Sequence, residues 1–384
     1  MAQSTPTTRE RGTHEVEENC AEAGGPLSSF IGCTKNRGHP QFIPVYEFSA
    51  DHVRPYMPGE QQKGVDRMVE IVKVLAEFVV RISAPVVSDQ RPDTWEDGRP
   101  YPFVDRRGRR TNKVGSGYVT CVTRLCGKSV VGICRRGSCP RGTAEENECW
   151  KIQVATARHV VYDDSEAREC ELVLFDDRPD GSDSVTLTGG WSVESADTEK
   201  DMCVLELYTH DKVLGRRLEN IWSRRRAALW TFSKREFYLW WTEMFRQLLQ
   251  DDRLSQLLQD DRFSQLLQDD RIPLLLFNNT FSRYISHRLS LLLYYTVCHD
   301  DSDLTVVISH PHGRMKYITL GQVDSERPSG RQDNCFTYTA ATCPGSSGGL
   351  VIPLRFWLLS ARVTTHCFSL SVNCGLSGGE HSFC

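Results

Sequence analysis

The stretch TCPGSSGGLVIP, from Thr342 to Pro353, decides how this chain is read. Gly345, Ser346, Ser347, Gly348 and Gly349 present a serine on a turn where glycine supplies backbone conformations that other residues resist. The amides of Gly345 and Ser347 can converge on one point, an arrangement able to stabilise an oxyanion. The apolar run from Leu350 to Pro353 reads as a strand entering a core. A turn this rich in small residues is also an ordinary loop, so its chemistry depends on a base and an acid elsewhere in the chain.

Both candidates lie upstream. Ala155-Thr156-Ala157-Arg158-His159-Val160 reads as a strand end running into a turn that carries a histidine, and Asp201-Met202-Cys203-Val204-Leu205 puts an acid at the mouth of a strand. Taken singly, His159 is a core histidine, Asp201 a strand cap and Ser347 a turn residue. Taken together, in the order histidine, aspartate, serine, they fit a base, its orienting acid and a nucleophile.

The three boxes resemble those of trypsin/chymotrypsin-like serine peptidases, closest to the intracellular and HtrA-type branch. Val114-Gly115-Ser116-Gly117-Tyr118-Val119 is similar to the strand that precedes the histidine turn there. Ile308-Ser309-His310-Pro311-His312-Gly313, followed by Ile318-Thr319-Leu320-Gly321, resembles the hairpin before the nucleophile. The likeness covers residues 111–215 and 298–355. It implies a mainly β fold of two six-stranded-type antiparallel β-barrels, with His159 and Asp201 on the first and Ser347 on the second. It also implies hydrolysis of a protein or peptide substrate through an acyl-enzyme, without a cofactor.

Two departures from the secreted members stand out. Ser346 occupies the place of the aspartate that captures a new N-terminus, so activation by that ion pair is not expected. Ala341 lies in the region of trypsin's pocket acid, so a preference for Lys or Arg has no support. His366 or Ser369 could belong to the strand that pairs with substrate, although nothing in the sequence sets the register.

Composition sets the remaining bounds. A net charge of −4 gives no global attraction to nucleic acid or to an anionic membrane, and neither is expected as a partner. The polar N-terminus lacks the apolar core of a secretory signal, and no 18-residue apolar run exists, so a cytoplasmic or nuclear protein is expected. In that setting fifteen cysteines read as reduced thiols rather than as a disulfide framework. Cys126, Cys134, Cys139 and Cys149 form the one sequence cluster that could hold zinc, but only Cys134 and Cys139 approach the close spacing of structural sites. Reduced thiols are the preferred reading there. His310 and His312 read as structural turn residues, and no metal is assigned.

The chain divides as follows. Residues 1–57 read as a disordered N-terminal tail and 58–110 as an amphipathic helix, over Gln61 to Ile82, with a Pro-, Asp- and Arg-rich linker behind it. The helix packs on the body, or else recruits a partner. Residues 111–215 form the first barrel, with short strands at Gly117–Leu125, Lys151–Thr156, Glu169–Phe175, Ser184–Leu187 and Met202–Leu207. Residues 216–296 are a helical or disordered insertion, which explains the 146 residues between Asp201 and Ser347. Inside it QLLQDDR recurs at 247–253, 256–262 and 265–271, a period of nine. Nine residues are about two and a half helical turns, so successive leucine pairs face opposite sides and no single apolar stripe forms. The near-identity of the copies points to tandem duplication. Residues 297–384 read as the second barrel, either slightly short or disrupted at its C-terminal end. The alternative to an active peptidase is a catalytically inactive protease-fold protein that binds partners through the helix or the insertion.

Overall fold

The computed structural model describes residues 13–14, 17–18, 30–57, 65–95, 98–127, 148–198, 200–224, 304–323, 337–353, 363–371 and 374–381. They belong to one compact unit made of Met1–Ala227 and Asp303–Cys384. The second unit, Ala228–Ser302, lies outside the described residues, and with it the QLLQDDR repeats.

The fold is mainly β, in two antiparallel eight-stranded sheets. The strands are β1 (Thr13–His14), β2 (Glu17–Glu18), β3 (Ile43–Pro44), β4 (Val79–Val86), β5 (Arg110–Cys126), β6 (Glu148–Ala157), β7 (Glu171–Leu174), β8 (Val185–Thr188), β9 (Ser192–Asp197), β10 (Met202–Thr209), β11 (Leu304–Ser309), β12 (Tyr317–Gln322), β13 (Thr337–Tyr338), β14 (Leu350–Pro353), β15 (Val363–Ser371) and β16 (Cys374–His381). One sheet runs β8-β7-β4-β5-β6-β10-β9, with β2 added to β5. The other runs β13-β16-β15-β14-β11-β12-β3, with β1 added to β15. The mainly β, antiparallel character expected from the sequence is present, and among the described strands each hydrogen-bonding order runs from one edge to another, without showing closure into a barrel.

Strand formation follows the pleat. Along β10 the burial alternates, with Cys203, Leu205 and Leu207 inward and the residues between them half-buried. Their inward faces join Val119, Trp150, Ile152 and Val154 in one core. The hairpin β11–β12 pairs Ile308 with Ile318 and Val306 with Leu320, as the apolar texture of the sequence implies.

Three sequence boundaries move. The amphipathic helix α2 (Val65–Ala76), which follows the single turn α1 (Ala50–Val53), buries Val65, Met68, Val69, Val72 and Leu75 as the 3–4 spacing requires, but ends at Ala76. The chain then enters β4, a central strand paired to β5 and β7, where the sequence suggests more helix and a linker. Phe78-Val79-Val80 supplies the aromatic and β-branched residues that favour the pleated state there. Residues 30–57 are folded rather than disordered: Phe42, Val45, Phe48 and Val53 are buried, and β3 pairs Tyr317 with Pro44. Finally, residues 212–224 form a helix whose Leu214, Leu218 and Ile221 join the core of the first sheet. A start of the insertion at residue 216 falls inside this helix. Gly215 is required there, because any Cβ would collide with the Trp150 ring.

Candidate active site

The register of β6 and β10 brings the first two candidates together. Met202 pairs with Ala157, so the residues just past that pair, Arg158 and Asp201, face each other, and the Arg158 amide donates to the Asp201 carbonyl at 3.1 Å. Asp201 takes a left-handed φ of +53°, a conformation that Asp tolerates better than most side chains. From there one carboxylate makes two bonds to one residue. Oδ1 accepts the His159 backbone N–H at 3.0 Å, and Oδ2 lies 2.5 Å from the ring Nδ1. The ring is therefore fixed in orientation, and a proton at Nδ1 is the tautomer that the carboxylate favours. Both side chains are fully buried.

A buried ion trio supports the histidine turn from behind. Asp163 caps the short helix α3 (Asp164–Ala167), accepting from the Ser165 and Glu166 amides, and this sets Glu166 inward. Glu166 meets Arg91 through two bonds, Nε to Oε1 at 2.6 Å and Nη2 to Oε2 at 2.8 Å, and Lys113 reaches Oε2 at 2.8 Å. Burial pushes the Glu166 carboxyl up, but Arg91 and Lys113 together hold it below its ordinary range. Lys113 is pushed down to about 8, by burial first and by the Arg91 charge next. The remaining Arg91 nitrogen, Nη1, donates to the carbonyls of His159 and Pro102, each at 3.1 Å. Tyr101 is buried beside Arg91, and its phenol is kept neutral by burial first and then by the Asp201 charge.

The serine turn sits on β5. Ser116 donates its amide to the Ser347 carbonyl at 2.7 Å and its hydroxyl to the Gly345 carbonyl at 2.7 Å, while its own carbonyl accepts from Thr156 Oγ1 at 2.7 Å. Gly115 marks the meeting point: a Cβ there would lie 2.6 Å from Val160 and 3.2 Å from the Ser347 carbonyl. The histidine turn and the serine turn thus pack against one residue of one strand. Gly345 and Gly348 have φ of +92° and +85°, so the turn needs glycine at both places. Ser346 N bonds Cys343 O and Gly349 N bonds Ser346 O, both at 2.9 Å, whereas the Gly345 and Ser347 amides donate no hydrogen bond among the described residues. Ser347 Oγ is buried and likewise without a hydrogen-bond partner among them. The Ser346 hydroxyl, by contrast, is used structurally, accepting from Ser309 Oγ at 3.1 Å and from the Cys343 amide at 3.2 Å.

Other sequence candidates resolve differently. Cys126 is exposed and Cys149 buried on neighbouring strands β5 and β6, while Cys134 and Cys139, and with them the four-cysteine cluster, lie outside the described residues. His310 is buried and structural, its Nδ1 2.9 Å from the Arg314 carbonyl. Arg91, Glu166 and Lys113 carry no sequence signal as a trio. The Asp163–Glu166 spacing, a helix-start signature, would have located the helix but not its buried carboxylate.

No family model matches the chain, and no curated protein does. Among solved structures, the chain is similar to the Rv3671c protease from M. tuberculosis in its active form, at 12% identity and a TM-score of 0.33 over 80% of this chain and 78% of that one. The inactive form of Rv3671c protease gives 12% and 0.31, over 80% and 86%. The HtrA-type protease AlgW with tripeptide gives 12% and 0.33, over 80% and 58%. Likeness at this level carries no argument about the site, whose reading rests on the distances above.

Proposed function

We propose that this chain is a serine endopeptidase acting through His159, Asp201 and Ser347. The observation that carries the reading is the pair of hydrogen bonds that one Asp201 carboxylate accepts from the ring and the backbone of His159, on a turn that shares Gly115 with the Ser347 turn.

In this reading His159 removes the Ser347 hydroxyl proton as Oγ attacks the carbonyl carbon of a peptide bond. Asp201 stabilises the imidazolium that results, and the proton passes to the leaving amine. The Gly345 and Ser347 amides, which donate no hydrogen bond among the described residues, receive the oxyanion, a contribution of about 3 kcal/mol per donor. Water then releases the acyl group by the same steps in reverse order. The chemistry needs no cofactor, and the substrate class is protein or peptide.

The test is labelling of the folded full chain with a small fluorophosphonate, compared with Ser347→Ala and His159→Ala. Labelling that needs both residues supports an activated serine. Absence of labelling by probes of decreasing size, from protein folded by circular dichroism, would overturn it.

A further inference from the structure

Residues 30–57 bring two side chains against the serine turn. Cys33 and His39 meet His312, from the turn after β11, and Cys343, four residues ahead of Ser347. One ligand atom from each of the four lies within 4.8 Å of the others. We propose that Cys33, His39, His312 and Cys343 form a tetrahedral zinc site that fastens the N-terminal segment to the loop bearing Ser347.

The distances carry the argument. With Zn–S of about 2.3 Å and Zn–N of about 2.05 Å, tetrahedral geometry demands edges of about 3.8 Å for sulfur to sulfur, 3.4 Å for nitrogen to nitrogen and 3.6 Å for sulfur to nitrogen. The chain has Cys33 Sγ to Cys343 Sγ at 3.7 Å, His39 Nε2 to His312 Nε2 at 3.2 Å and Cys343 Sγ to His39 Nε2 at 3.5 Å. A disulfide would need sulfurs about 2.05 Å apart, so these two cysteines stand at ligand spacing instead. Two sulfurs and two imidazoles are a structural zinc donor set, and all four positions are filled by protein.

Two further observations point the same way. His39 and His312 both adopt left-handed backbone, with φ of +49° and +54°. Such conformations cost about 1–2 kcal/mol at a residue with a Cβ and gather at ligand clamps. The outer contacts are those a zinc thiolate uses to spread its charge. Asn36 donates its amide N–H to Cys33 Sγ at 3.4 Å and its Nδ2 to Cys343 Sγ at 3.1 Å. Phe30 stacks on His39 with centroids 3.9 Å apart and planes within 9°, which fixes that ring. His312 is also tied directly to the serine turn, its amide donating to the Pro344 carbonyl at 2.5 Å.

Metal content tests this without any reading of activity, so the site stands or falls apart from the peptidase proposal. The full chain, purified without chelator, is expected to carry one zinc by elemental analysis, and Cys33→Ser or Cys343→Ser to lose it. Cys121→Ser, in a buried cysteine outside the cluster, is expected to retain it. Exchange of the wild-type protein into cobalt is expected to give the visible bands of a tetrahedral thiolate site, a readout that does not depend on a variant folding. Folded wild-type protein without metal, a six-coordinate cobalt spectrum, or a Cys33–Cys343 disulfide in peptide maps of fresh protein would each overturn it. So would full zinc retention in both serine variants.

Discussion

Arg91, a wholly buried guanidinium, donates to the backbone carbonyl of His159 at 3.1 Å while its other two nitrogens grip Glu166. A charge sunk in the core is costly unless fully paired, and this one is paired on every nitrogen. Its position turns that cost into orientation for the histidine turn.

Arg91→Met is therefore expected to lower stability by about 3–5 kcal/mol, because it strands Glu166 beside Lys113 and frees the His159 carbonyl. Urea denaturation monitored by tryptophan fluorescence measures the loss. A change within experimental scatter would show that the trio does not support the turn.

Acid should act through Glu166. Its carboxyl is held below the ordinary range in the folded chain, so its stabilising contribution is complete above about pH 4.3 and is lost as pH falls through the lowered value. Glu166→Gln removes that contribution at every pH. The wild type is expected to exceed the variant by a constant margin near neutrality and to converge on it below about pH 4.3. A margin unchanged down to pH 3, by equilibrium denaturation, would contradict this.

Asp201→Asn separates geometry from charge. Asn tolerates the left-handed φ of +53°, so the backbone is kept. Its amide oxygen must still serve the His159 N–H, which turns the NH2 toward Nδ1 and forces the proton onto Nε2. If the triad operates, fluorophosphonate labelling should slow by roughly 10⁴-fold with little change in thermal stability. Equal slowing and unfolding would indicate only a structural carboxylate.

Gly348→Ala is expected to abolish the serine turn. The added Cβ would strike the Ser116 carbonyl and Thr156 Oγ1, and φ of +85° is itself unfavourable for alanine. Loss of thermal stability together with loss of labelling checks it. Gly189→Ala also sits at positive φ, at +69°, but its Cβ would meet nothing within 4 Å, so it serves as the milder control.

The β character and most strand positions were legible because Lys151–Thr156 or Met202–Leu207 alternate locally and stop at turn residues. The approach of His159 to Asp201 was legible for a similar reason, since each sits at the end of a recognisable strand. β4 was hidden because Val79 continues the 3–4 spacing of the preceding helix, and only pairing to β5 and β7 decides against helix. Arg91 and Glu166 lie 75 residues apart in runs that look like solvated charge. Cys33 and His39 were lost in a polar segment whose few apolar residues gain burial only against β12 and its neighbours.

Ser116 also imposes an order of assembly. Its amide, hydroxyl and carbonyl are committed to the Ser347, Gly345 and Thr156 partners, and Gly345 lies 229 residues downstream of it. Contacts so distant along the chain form late, because a long loop must close before they stabilise anything. During synthesis the first sheet is made long before the serine turn emerges, and that turn has no template until β5 is in place. A partly synthesised chain thus carries His159 and Asp201 before Ser347 exists, and the serine turn can dock on β5 only once that strand is formed.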